Sequence, residues 1–439
     1  VNFIKKIIQK QDFLSFAGNL SYAILGFVSF LLLTRSFEKN IFGEWVLFIT
    51  TSNFIGMFRF GITRTAIVRF LSGADKKQEK ILIGSNWLIS IVITIILIII
   101  VWLSYFFAKT PIDHSGFKLF FRWYPLFAIA NLPLNNALTV LQAKLKFGNI
   151  LFLRTLNIFL FDLFLVINLL YLHCSVTTVA IVLISLNALT SVISLIKQWD
   201  GLRFLSYASQ KVIKEVLDFG KYTTGTLIGS NLLKSADTFI IGLSPFLGTT
   251  GVALYSIPMK LTEIMEIPLR SFANTAFPKM SKASIQNNLE EVKRFFYTYS
   301  GSLLLLFIPF SIINFILAPY FVVFLGGEQY LDTTNIYRLF AIYGLILPLD
   351  RFTGVALDAI NKPKQNFHKV NAMVFANIVG DLIAVFVFHS VFGVALITIL
   401  MTLVGIIFGY YFLHKEITLN FYRIFKDGFS FLMHFKRNL

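Results

Sequence analysis

The chain is short of charge, of cysteine and of long polar loops, and each shortage closes a class of function. Only 14% of its 439 residues are charged while 56% are hydrophobic, a balance that no single soluble core of this length requires. The one cysteine, Cys174, excludes an internal disulfide and a cysteine metal cluster. The six histidines, His114, His173, His368, His389, His414 and His434, fall in loops or near expected helix ends. Neither a zinc site nor a histidine proton relay is therefore supported, and no metal or cofactor is expected. The chain also lacks the GxxxxGK[ST] loop that would cradle the phosphates of ATP. Strand alternation is missing, so helices rather than a barrel must satisfy the backbone in lipid.

What the chain does have is apolar runs of about 20 residues, enough at about 1.5 Å per residue to span hydrocarbon about 30 Å thick. The reading is an all-α polytopic membrane protein with about twelve transmembrane helices. They are placed at 13–36, 43–63, 81–107, 117–141, 149–172, 176–196, 219–243, 251–276, 298–324, 335–360, 369–388 and 392–414. The first run follows Lys5, Lys6 and Lys10 without a small-residue cleavage pattern, so it reads as an uncleaved helix. Alternate loops differ sharply in charge: one set holds 26 lysines and arginines, the other only Lys39 and Lys109. By the positive-inside rule both termini are expected in the cytoplasm. The net charge of +17 is thus placed by topology, and no nucleic-acid partner is expected.

The organisation is expected to be a bundle over 1–197, an amphipathic cytoplasmic linker over 198–218, a second bundle over 219–414 and a basic cytoplasmic tail over 415–439. Linker and tail read as surface-lying segments that contact membrane lipids. The halves repeat loosely. RWYPLFAIANLPLN (122–135) matches RLFAIYGLILPLD (338–350), FLSFAG (13–18) matches VLDFGK (216–221), and TRSFEKNIFGEW (34–45) matches GLSPFLGTTGVA (242–253), with Gly43 opposite Gly251. Six helices per half make this a parallel repeat, hence two pseudo-symmetric six-helix bundles around a central cavity. Gly225 with Gly229, and Gly405 with Gly409, have the spacing that lets helices approach closely.

Four charges interrupt the apolar stretch YSIPMKLTEIMEIPLRSF (255–272): Lys260, Glu263, Glu266 and Arg270. A charge at mid-membrane costs roughly 2.5 to 3.5 kcal/mol on insertion scales, so it faces protein or a hydrated path. At 100° per residue the four occupy neighbouring sectors of one helix face. Either they neutralise each other within the helix, or the cations meet an anionic substrate while a carboxylate carries a coupling proton. Pro258 and Pro268 interrupt the same helix, as is tolerated beside a cavity. Lys234 and Asp237, three residues apart, allow the same two readings. Arg59 has no acidic neighbour in sequence and either snorkels to the interface or catches an anionic headgroup. Arg351 pairs with Asp358 or a neighbouring helix, or contacts substrate; Arg122, Arg338 and Arg154 read as interfacial anchors. Asp162 and Asp381 are lone mid-helix carboxylates matched by the repeat, either coupling or packing groups.

The helix count, the repeat, SFAGNLSYAILGFVSFLLLTRSFEKNIFGEWVLF (15–48), LQAKLKFGN (141–149) and RSFANTAFPKMSK (270–282) together resemble O-antigen-type (Wzx-like) polysaccharide flippases of the multidrug/oligosaccharidyl-lipid/polysaccharide exporter superfamily. The resemblance covers nearly the whole chain. It implies a non-enzymatic carrier in a bacterial inner membrane, moving polyprenyl-diphosphate-linked oligosaccharide to the outer leaflet by alternating access. A polysaccharide polymerase and chain-length machinery are further partners it implies. On this reading Arg59, Lys234, Lys260, Arg270 and Arg351 bind substrate, and Glu263, Glu266 and Asp237 couple an ion. Two rivals remain: a multidrug or cation antiporter of the same superfamily, against which the intramembrane cations weigh, and a membrane glycosyltransferase or polymerase, for which the outer loops are short.

Overall fold

The computed structural model describes residues 11–71 and 74–437, and the described residues form helices and short connections with no strand. Lys5, Lys6 and Lys10 lie outside these residues, and Gly225 and Gly229 fall in a stretch of α8 whose packing is outside what is described. The principal helices are α1 Gln11–Ser36, α2 Lys39–Leu71, α3 Lys76–Phe107, α4 Lys118–Ala130, α5 Leu132–Ala143, α6 Phe147–Ile167, α7 Val176–Ile196 and α8 Gln210–Leu243, followed by α9 Gly248–Ile285, α10 Leu289–Ile316, α11 Ala318–Gly326, α12 Thr334–Ala359, α13 Pro363–Phe386, α14 Val391–Glu416 and α15 Phe421–Arg437. Among the described residues eight helices are long and apolar enough to cross a membrane: α2, α3, α6 with its π-helical extension, α7, α10, α12 with the turn before it, α13 and α14. The protein is a multi-pass membrane protein. Each of the twelve segments read from the sequence falls on helix, but the described residues of α1, α8 and α9 do not meet that criterion of length and apolarity, and the ninth segment is divided at Leu317 and the fourth at Asn131.

The break at Asn131 has a local cause. Pro133 lacks the N–H that would bond back to the Ile129 carbonyl, so the ladder is interrupted around Asn131 and a new helix starts at Leu132. Ser191 on α7 closes the gap, its hydroxyl 2.5 Å from the Ala130 carbonyl while accepting the Leu134 N–H at 3.1 Å. The matching Pro348 lies within α12, which runs on without interruption.

The chain divides into two compact units, Val1–Ser235 with Gly248–Thr250, and Ala236–Leu247 with Gly251–Leu439. In the first, α1 packs along α6. The segment read as a linker packs here too: the Trp87 indole donates to the Asp200 carbonyl at 2.8 Å, and Ser209 donates its N–H to Ser85 at 3.1 Å. Apolar Val212, Ile213, Val216 and Phe219 join the core formed by Ile67, Ile83 and Trp87. In the second unit α13 packs on α14, α12 on α10 and α14, and the tail helix α15 on α10. The α10–α15 contact is backbone to backbone: a Cβ added at Gly301 would come within 1.9 Å of the Ile424 carbonyl oxygen.

Candidate functional site

In the second unit, four helices bring their buried polar side chains to one point. Asp237 from α8, Tyr255 from α9, Asn377 and Asp381 from α13 and Thr398 from α14 are each at most 5% exposed. Asn377 and Asp381 are one helical turn apart, so they share a face of α13. The Asn377 amide donates to Asp237 Oδ1 at 3.0 Å and to Asp381 Oδ2 at 3.1 Å. The Tyr255 hydroxyl donates to Asp237 Oδ2 and lies 3.1 Å from Thr398 Oγ1. Two acceptors in this cluster, Asn377 Oδ1 and Asp381 Oδ1, are buried without a hydrogen-bond partner.

The electrostatics follow from the distances. One nitrogen lies 3.0 Å from one carboxylate oxygen and 3.1 Å from the other, which caps their separation at 6.1 Å, the sum of the two. Two unit negative charges that close repel by about 3 kcal/mol at an effective dielectric of about 20. Buried carboxylates do not persist uncompensated, so the pair can take up a proton or a hard monovalent cation. Carboxylate, amide and hydroxyl oxygens are the donor set such a cation prefers.

The first unit carries half of this arrangement. Asp162 on α6, 6% exposed, accepts from Ser29 of α1 at 2.5 Å, and its Oδ2 is buried without a partner. The Gly43–Gly251 match sets an offset of 208 (251 − 43), and 237 − 29 is also 208. Ser29 therefore stands where the second half has Asp237. On the same offset Leu47 stands for Tyr255, and on the Asp162–Asp381 offset of 219 (381 − 162) Ile158 stands for Asn377. One carboxylate and one hydroxyl remain where the second unit has five polar side chains.

The structure corrects two readings here. Asp381 is not a lone carboxylate but half of a pair with Asp237, and the intrahelical reading of Asp237 missed Tyr255 and Asn377. Arg59 does not snorkel: it is 3% exposed, donates to the Ala128 carbonyl at 2.8 Å, and its guanidinium carbon lies 4.1 Å from the Phe60 ring centre. Protein packed around this part of α2 closes the route to the interface.

On α9 the four charges form intrahelical pairs. Lys260 Nζ is 2.7 Å from Glu263 at i,i+3, and Arg270 pairs with Glu266 at i,i+4. The outer member of each pair, Glu263 and Arg270, is exposed, as are Lys234 and Arg351. Asp358 takes its hydrogen bonds from the Asn366 amide at 3.0 Å. Sequence reasoning missed Lys369, which at the very start of its segment reads as a loop cation. It is 3% exposed, 2.7 Å from Asp350, and bonded to Thr353 at 3.1 Å. Gly405 and Gly409 open the room for it: a Cβ at Gly409 would lie 2.5 Å from Thr353 Oγ1.

The fold is that of the multidrug/oligosaccharidyl-lipid/polysaccharide (MOP) transporters. An inward-facing multidrug MATE-family transporter aligns with a TM-score of 0.74 at 14% identity, covering 90% of this chain and 94% of that one. A lipid II flippase in its inward closed conformation aligns with a TM-score of 0.71 at 17% identity, covering 96% and 91%. At the level of sequence, residues 32–335 match the family described as "Polysaccharide biosynthesis protein", and the chain belongs to that family. It is 23% identical over 349 residues to a Shigella flexneri protein bearing the name O-antigen transporter, a match covering 76% of this chain and 80% of the relative. A probable low-salt glycan biosynthesis flippase of Haloferax volcanii is 23% identical over 232 residues, 49% of this chain and 45% of the relative's length.

Proposed function

We propose that the protein is a flippase that carries polyprenyl-diphosphate-linked oligosaccharide units from the cytoplasmic to the outer leaflet of the cytoplasmic membrane by alternating access. The observation that carries this reading is the charge sign on α9 and its neighbours in a member of the polysaccharide biosynthesis family: Lys260, Arg270, Lys234 and Arg351 offer cations to a diphosphate. Arg59 would join them only by leaving its burial under Phe60. A diphosphate head has no low-energy route across about 30 Å of hydrocarbon, and opposite charge along a hydrated path lowers that barrier without any covalent step. Both termini are cytoplasmic in this scheme, the repeat unit comes from a cytoplasmic assembly reaction, and an outer-leaflet polymerase consumes it.

Ion coupling belongs with Asp237 and Asp381 in this reading rather than with Glu263 and Glu266. The α9 carboxylates already have cationic partners on their own helix, whereas the buried pair needs an exchangeable positive charge. The buried acidic pair also suits a cation antiporter, which is the second reading. A leaflet-specific assay of lipid-linked oligosaccharide in cells lacking the protein separates them. Accumulation in the cytoplasmic leaflet is expected, and normal turnover would refute the flippase.

A further inference from the structure

The last helix, α15, has more apolar surface than its neighbour covers. At 100° per residue its polar side chains Arg423, Lys426, Asp427 and Ser430 fall in one sector about 100° wide, and most of the remaining circumference is apolar. Half of that apolar arc is docked on α10. Ile424 and Gly428 are buried against Gly301, the Phe431 ring centre lies 6.1 Å from that of Tyr299, and the Asn420 N–H just before α15 donates to the Tyr297 hydroxyl at 2.7 Å. The other half is uncovered: Tyr422 is 71% exposed, Phe429 58% and Met433 56%, with Phe425 exposed between them.

The sequence of α10 gives the height of this contact. Its first turns carry Glu290, Glu291, Lys293 and Arg294, its stretch 303–316 is apolar apart from Ser311 and Asn314, and α15 crosses between the two at 297–302. A helix held where α10 passes from charged to apolar sequence lies at the depth of headgroups and upper acyl chains. An aromatic stripe there has acyl chains beside it, and the polar sector meets the headgroups. That sector is cationic. Asp427, the one acid of α15, is taken by Arg423 at 3.3 Å, so the helix offers no carboxylate to Lys426, which is exposed, or to Arg437 in the same register. A zwitterionic headgroup brings its own cation to its phosphate, whereas a phosphatidylglycerol headgroup leaves the phosphate for lysine and arginine.

We infer that α15 is an interfacial anchor whose uncovered face, Tyr422, Phe425, Phe429 and Met433, lies in the acyl-chain boundary and whose polar sector gathers anionic phospholipid through Lys426 and Arg437. The tail's expected contact with lipid thereby acquires a face, a depth and a headgroup charge. A soluble protein partner fits less well, because a stripe at this height along α10 is beside lipid rather than water. The anchor holds whatever cargo the chain carries.

The test uses the full chain in nanodiscs of phosphatidylcholine with a minority of phosphatidylglycerol, carrying bimane on a cysteine placed by Phe429→Cys, by Ser430→Cys or, on lipid-facing α3 far from α15, by Val92→Cys, each in a Cys174→Ser background. Phospholipids brominated in the upper acyl chain are expected to quench the label at position 429 and aqueous iodide the label at 430. At equal mole fraction, brominated phosphatidylglycerol should quench at 429 at least twice as strongly as brominated phosphatidylcholine, and the two should match at position 92. Lys426→Gln with Arg437→Gln should bring the ratio at 429 to parity. Sodium chloride at about 1 M, where charges are screened within about 3 Å, should do the same without those substitutions, so the outcome does not hang on the double variant folding. Iodide reaching 429 as freely as 430 without quenching by brominated lipid would overturn the anchor. A ratio of one at 429 in low salt, or a preference indifferent to both salt and the double substitution, would overturn the assignment of anionic lipid.

Discussion

Asp381→Asn removes one buried negative charge from the second unit while keeping the side chain's size and its capacity to accept from Asn377. With the two carboxylates no more than 6.1 Å apart, the sum of their distances to the Asn377 nitrogen, the charge deleted repels its partner by about 3 kcal/mol at an effective dielectric of about 20. If that repulsion is what draws in a cation, the variant loses roughly a hundredfold in cation affinity. The fold should not suffer, because the substitution relieves the repulsion rather than orphaning a positive charge. The assay is thermal unfolding of purified protein in sodium chloride against choline chloride, and at acid against neutral pH, alongside gradient-driven transport. A ligand at about 100 times its dissociation constant stabilises by about 2.7 kcal/mol, a shift of several degrees that the wild type should show for sodium or for protons. Asp381→Asn should lose most of that shift and the gradient dependence of transport together. A variant that unfolds several degrees earlier in every buffer yet still couples transport to the gradient would refute the argument and make Asp381 a packing group.

The remaining expectations are independent of one another. Lys260→Arg should keep part of the transport activity, Lys260→Ala lose much of it and Lys260→Glu nearly all at normal abundance; full activity of Lys260→Glu would remove that residue as a diphosphate contact. A cysteine placed by Asp332→Cys in a Cys174→Ser background should react with an impermeant thiol reagent from outside the cell, and one placed by Gln78→Cys or Asn288→Cys should not; the opposite pattern inverts the topology. Gly301→Ala drives a methyl into the Ile424 carbonyl, so it should cost about 1 to 3 kcal/mol and expose the α15 helix to protease, whereas unchanged protease resistance would deny the close docking. Burial pushes the Asp200 carboxyl above its usual range, partly offset by its hydrogen bond from the Leu202 N–H. A raised acid costs stability once ionised and regains it as pH falls through its folded value. Asp200→Asn should therefore be more stable than wild type at about pH 8, with the advantage gone by about pH 4; an advantage constant with pH would show that charge is not its cause.

The class of protein was legible because it depends on quantities that are additive along the chain. Apolar runs of membrane length, loops differing in charge and a repeat in parallel order require no knowledge of what touches what. The intrahelical pairs on α9 were legible for a related reason, since residues three and four apart meet on any helix. The coupling candidate was not. Asp237 and Asp381 are 144 positions apart (381 − 237), and no local pattern marks two carboxylates on different helices as one site. The one local trace was Asn377, a polar group a turn before Asp381 on an apolar helix. Lys369 was hidden in the same way: near the start of α13 it reads as a loop cation, and only the approach of α12 and α14 at Gly405 and Gly409 turns it inward to Asp350. Arg59 followed the converse course, because a lone cation can snorkel only if the neighbouring helices leave it a path, and Ala128 and Phe60 close it. Sequence thus determined that the chain is a multi-pass helical membrane protein and which charges its helices carry. Tertiary packing decided which of those charges are compensated, since a carboxylate's fate in a low-dielectric interior is set by the handful of groups within hydrogen-bond reach, and helix packing alone chooses those groups.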